Sequence, residues 1–176
     1  MALEPRFVQR WAWCGGCCLS VLDHAYSTNL GVEGVYARYS QFEKLLGGAT
    51  WPGTIDGVLS DMQVEPEVVY VATHEREKYL DQWFGAGRPV VLLTKDFGAS
   101  WIVAFGRDPD DPSLVEVYDS GPTFTVDQKA SRGNTYIPMS RLLAGWRTRP
   151  VFYGLKLFGV RHVVPHLAIV PRVPLP

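Results

Sequence analysis

The sequence predicts an α+β domain, on three observations. Cys17 to Tyr26 is a run of helical character that is apolar on most faces, and such a helix lies buried at the centre of a fold. The second half of the chain is a succession of short apolar runs of β type, separated by Gly, Pro, Asp and Ser. Helices come first and strands later, the order of an α+β domain rather than of repeating βαβ units. At 176 residues the chain reads as one domain over residues 1–170, long enough to bury a core without staples. Residues 171–176, with three prolines, read as a C-terminal tail.

The elements follow in order. After the central helix, Arg38 to Gly47 is an amphipathic helix closed by glycine. Trp51-Pro52-Gly53-Thr54 reads as a turn, with Thr54 capping a short helix from Ile55 to Met62. Val68 to Ala72 is strand-like, and Glu75 to Phe84 is a helix ended by Gly85-Ala86-Gly87. Pro89 to Thr94 is a continuous apolar strand, followed by strands at Ser100 to Phe105 and Leu114 to Tyr118 with the Asp108–Ser113 turn between them. Thr135 to Pro138 is a short strand, and Ser140 caps a helix holding Leu142, Leu143 and Trp146. Val151 to Val160 and Val163 to Val170 are further strands. No internal repeat is present.

Composition narrows the function classes. A hydrophobic fraction of 47% with 20% charged residues is ordinary for a globular domain. A net charge of −1 gives no case for nucleic acid or anionic membrane partners. No apolar run approaches the roughly 20 residues of a membrane span. The N-terminus lacks the basic-then-apolar order of a signal peptide. The expectation is a cytoplasmic protein, or one exported by a route without a recognisable signal. The three cysteines, Cys14, Cys17 and Cys18, lie within five residues and cannot staple distant parts of the chain. As a zinc site they lack a fourth ligand, and no metal or other cofactor is expected. The residues carry no signal for an oligomeric state.

The chemistry concentrates at Cys14. Gln9-Arg10-Trp11-Ala12-Trp13-Cys14-Gly15-Gly16-Cys17-Cys18-Leu19 places a thiol on the first turn of a buried helix, where the helix dipole favours the reactive thiolate. Gln9 is positioned to donate to an oxyanion. Trp13, Gly15 and Trp101 are expected to line the cleft. The plain alternative is that Cys14 is a small buried apolar residue, as free cysteines often are; Cys17 and Cys18 read as helix packing.

These residues carry a resemblance. The segment from Cys14 to Tyr26 resembles the nucleophile helix of papain-like cysteine peptidases, and looks closest to their C39-like branch, which includes bacteriocin leader-processing peptidases. Gly87-Arg88-Pro89-Val90-Val91-Leu92-Leu93 resembles the strand that precedes the histidine strand in that family. Val115 to Pro122 resembles the strand ending in the orienting aspartate, here Asp119, and Ile137 to Trp146 resembles the late strand and helix. The resemblance implies a papain-like fold, with a buried nucleophile helix packed on an antiparallel sheet. It also implies thiol attack on a peptide amide or ester of a peptide or protein substrate. It gives Cys14 as nucleophile, Gln9 as oxyanion donor and Asp119 as orienting carboxylate. The alternative for Asp119 is a turn residue before Ser120-Gly121-Pro122.

One position departs from the family. Where it places Gly-His-Trp and an apolar run, this chain reads Gly98-Ala99-Ser100-Trp101-Ile102. Ser100 occupies the place of the histidine, and a serine hydroxyl cannot take the proton of a thiol near neutral pH. Of the four histidines, His24 lies about 15 Å along the helix from Cys14, and His74 reads as exposed. His162 and His166 flank Val163-Val164-Pro165. His166 would reach the site only if its strand paired beside residues 101–105. Three readings stand: a degenerate member that binds a peptide in the old cleft without cleaving it, an active thiol peptidase or acyl transferase that recruits another base, or a peptidase inactivated at residue 100.

Overall fold

A computed structural model of the protein describes residues 14–45, 50–94, 100–121, 127–146 and 166–176. Its sheet has six strands: β1 (Pro66–Val71), β2 (Val90–Thr94), β3 (Ser100–Arg107), β4 (Leu114–Asp119), β5 (Thr135–Pro138) and β6 (His166–Pro171). They lie in the order β1-β6-β2-β3-β4-β5, and every pairing is antiparallel. With helices packed on both faces, this is an α+β fold.

Period-two alternation divides the strands between two cores. Trp101, Val103, Phe105, Tyr118, Leu167 and Ile169 share a core with α1 (Cys14–Tyr26), α2 (Gly31–Ala37) and α4 (Pro52–Asp61); α3 (Gln41–Leu45) lies between α2 and α4 in the chain. Ile102, Ala104, Val115, Val117 and Ala168 face α5 (Arg76–Gly85) and α6 (Met139–Gly145) through Leu80, Trp83, Leu142 and Trp146. Residues 14–23 of α1 are all buried, as an all-round apolar helix requires.

The direction of α1 follows from its two ends. The thiol of Cys18 donates to the carbonyl of Trp101 at 3.2 Å, at the beginning of β3. The hydroxyl of Tyr26 donates to Val173 at 2.8 Å, just beyond the end of β6. Because β6 and β3 both run antiparallel to β2, these contacts mark opposite ends of the sheet. The N-terminus of α1 therefore lies at the end where β2 and β4 finish and β3 and β6 begin.

Several local expectations are corrected. The helix expected over 38–47 is α3, preceded by the separate α2, whose Gly31 and Gly34 lower its helical propensity. Ser40 and Glu43 form a capping box: the Ser40 amide donates to Glu43 at 2.8 Å and the Glu43 amide to the Ser40 hydroxyl at 3.2 Å. Helix α4 starts at Pro52, pre-shaped for a first helical turn, so Thr54 is inside it and is not its cap. Helix α6 begins at Met139 with no side-chain cap, so Ser140 is not a cap either. Helix α5 ends as the glycines predict. Gly87 adopts φ +67°, and Arg88 donates back to Trp83 at 2.9 Å, a Schellman closure. The strand expected over 151–160 lies outside the described residues.

The last residues lie against the body. Pro171 ends β6, Arg172 donates to Val64 and Leu175 to Gly87, and Leu175 packs on the first core.

Candidate active site

Cys14 opens α1 and is 6% exposed. Gly15 beside it is set against Thr50, and a Cβ on Gly15 would lie 2.3 Å from the Thr50 hydroxyl oxygen. Thr50 is held in turn. Its carbonyl accepts from the Trp101 indole at 2.9 Å, and its hydroxyl bonds that of Tyr39 at 2.6 Å. Trp101 is thus a buried post joining β3 to this loop and, through its own carbonyl, to Cys18.

Glu43 braces the same loop. Its carboxylate accepts from the Trp51 amide at 3.0 Å, the Thr54 hydroxyl at 2.6 Å, and the Ser40 amide and hydroxyl at 2.8 and 2.7 Å. Burial alone would push its pKa up. The hydrogen bonds from Thr54, Trp51 and Ser40 outweigh burial and hold it below the usual carboxylate value. The neighbouring thiols differ. Burial, with Cys14 alongside, pushes the Cys17 pKa up to about 11, and burial raises the enclosed Cys18 well above the ordinary thiol value.

Ser100 opens β3, opposite Thr94 of β2. Asp119 ends β4, opposite Ile102. Ser100 and Asp119 therefore lie on one face of the sheet, diagonal to each other across neighbouring strands. That face is the one toward α5 and α6, whereas α1 covers the other. Both nevertheless stand at the end of the sheet where α1 begins. Asp119 accepts from the Gly121 amide at 2.8 Å. Its backbone is clamped by Asn134, whose side chain accepts from its amide and donates to its carbonyl at 3.0 and 2.6 Å. Asp119, Thr94 and Arg141 share the wall of a cavity of about 20 Å³. The Ser100 hydroxyl is buried and, among the described residues, has no hydrogen-bond partner.

His166 does not stand beside β3. Strand β6 pairs with β1 and β2, with His166 opposite Val71. Continuing the β2 register sets His166 level with Thr94, two strands and so about 10 Å from Ser100. Its Nε2 bonds the Thr73 hydroxyl at 3.0 Å, and its ring packs on Trp146. His24 and His74 are exposed. Gln9, Trp13 and His162 lie outside the described residues. Among the described residues there is no cluster of three or more His, Cys, Asp or Glu able to hold a metal, and no helix long and apolar enough to cross a membrane.

The sequence does not single out the bracing residues Thr50 and Glu43, or Thr94 and Arg141 of the cavity wall. Only Glu43 had a legible signal, the Ser40-x-x-Glu43 spacing.

No family model and no curated protein matches the chain. Among solved structures it is similar to the crystal structure of a double glycine motif protease from an AMS/PCAT transporter in complex with the leader peptide. The two share 10% identity at a TM-score of 0.57, over 93% of this chain and 89% of that one. At that identity the likeness shows a fold of the C39-like, double-glycine peptidase kind.

Proposed function

We propose that this chain binds an extended peptide segment at the Cys14 end of its peptidase-type fold, and that it lacks the base needed to cleave it. The carrying observation is Ser100: a buried hydroxyl without a partner among the described residues, at the start of the strand where the resembling family has its histidine. Thiol attack needs a group to accept the thiol proton and return it to the leaving amine. Among the described residues neither β3 nor β4 carries a histidine, and His166 is bonded to Thr73, two strands and about 10 Å from Ser100.

The ligand class follows from access. Cys14 is barely exposed, and Gly15 is closed off by Thr50. A segment with small side chains fits such an approach better than a bulky one. The similar protease was crystallised with a leader peptide and is named for a double glycine motif, which agrees with a ligand of that kind.

A fluorescent peptide carrying an internal Gly-Gly pair tests this by anisotropy, with mass spectrometry of the mixture after prolonged incubation. The expected result is saturable binding, weakened when the glycines become leucines, with no cleavage. Cleavage by the native chain would show that a base is present and overturn the arrested chemistry. Absence of binding across a broad peptide panel would overturn the peptide reading.

A further inference from the structure

Cys14 and Cys17 are two thiols on the first turn of one helix, separated only by Gly15 and Gly16. Helical geometry puts Cα atoms three residues apart at about 5 Å, inside the roughly 4.4–6.8 Å span that a disulfide bridges. The two glycines between them leave no side chains to crowd the ring. Both thiols are 6% exposed. Cys17 shares a hydrogen bond with the Tyr118 hydroxyl, which a disulfide sulfur can still accept, whereas Cys18 is 0% exposed and donates its own S–H to the Trp101 carbonyl, a bond that joining it to another sulfur would remove.

We propose that Cys14 and Cys17 form a dithiol–disulfide couple, in which a small-molecule disulfide oxidises the pair and reversibly caps the Cys14 sulfur. In the first step the Cys14 thiolate attacks one sulfur of the small disulfide. A mixed disulfide forms and one small thiolate leaves. In the second step the Cys17 thiol gives its proton to solvent and attacks the Cys14 sulfur. The Cys14–Cys17 bond forms and the second small thiolate leaves. The protein loses two electrons and two protons, and the small disulfide gains them as two thiols. Burial and the adjacent Cys14 keep Cys17 largely protonated at neutral pH, which suits it to the resolving rather than the attacking role. The couple needs no peptide ligand, and it removes the one thiol at the head of the helix.

The full chain, equilibrated in glutathione buffers of rising oxidised fraction, acid-quenched and alkylated with N-ethylmaleimide, tests the couple. The alkylated thiol count is expected to fall from three cysteines to one. The tryptic peptide holding all three should lose two hydrogens, and dithiothreitol should reverse the change. Cys18→Ala should keep the disulfide, and Cys17→Ser should stop with one glutathione on Cys14. Three alkylated thiols at every oxidised fraction would overturn the proposal. So would a stable glutathione adduct on Cys14 of the native chain, or a disulfide that survives Cys17→Ser but not Cys18→Ala.

Discussion

Glu43 and Ser100 are buried polar residues, one bracing the loop that lies against Gly15 and the other opening β3, and they are built in opposite ways. Glu43 receives hydrogen bonds from two amides and two hydroxyls, and through Trp51 it sets the loop that lies against Gly15. Ser100 is 8% exposed and its hydroxyl has no partner among the described residues. A buried polar group left unpaired costs about 1–3 kcal/mol, so such groups are few in native folds. The satisfied carboxylate belongs to the scaffold. Complete hydrogen bonding marks a residue of the scaffold, and among the described residues the Ser100 hydroxyl lacks it.

The largest effect is expected at the complete site. Glu43→Ala strands the Trp51 and Ser40 amides and should cost about 2–4 kcal/mol, read from urea denaturation midpoints. A loss below about 0.5 kcal/mol would erase the difference between the two positions. Gly15→Ala drives a methyl group into Thr50 and should cost about 1–3 kcal/mol as an overpacked contact, with a change in Trp101 fluorescence as its Thr50 bond loosens. An unchanged protein would mean that the loop is not held against the helix.

A smaller effect is expected from pH. The folded Glu43 carboxyl titrates below its unfolded value of about 4.3. Its contribution is complete above that value and is lost as pH falls through the lower folded one. The stability advantage of the native chain over Glu43→Gln should therefore be constant near neutrality and shrink below about pH 4.3. An advantage that grew on acidification would contradict the direction of the shift. The smallest effect is expected at the incomplete site: Ser100→Ala should leave stability within about 0.5 kcal/mol or raise it, since it removes a hydroxyl that bonds nothing. A loss above about 1 kcal/mol would reveal a partner for Ser100.

Much of the fold was legible because periodicity records burial. The α1 run, the 100–105 strand and the 135–138 strand stand where their apolar patterns put them. Helix α2 was not legible, because two glycines in seven residues hide a helix held by packing rather than propensity. The start of α4 was misread because Trp-Pro-Gly-Thr is turn chemistry by composition, while Pro52 serves as a first helical residue. For the site, the thiol at position 14 and the serine at position 100 were visible as residue types. The pairing of β6 with β1 and β2, which takes His166 away from β3, is a long-range choice that no local pattern encodes. Thr50 was equally hidden, since a loop residue that touches Gly15 across 35 positions leaves no spacing to read.

The rate of Cys14 alkylation by iodoacetamide at pH 6, compared between the native chain and Ser100→His, tests the vacated-base reading most directly. Cys17 and Cys18 contribute little there, because burial raises both thiols, and peptide mapping assigns the adduct. Slow reaction in the native chain and an increase of at least about tenfold in Ser100→His is the expected result. A native thiol that already reacts as fast as the variant, or a variant no faster than the native chain, would contradict it.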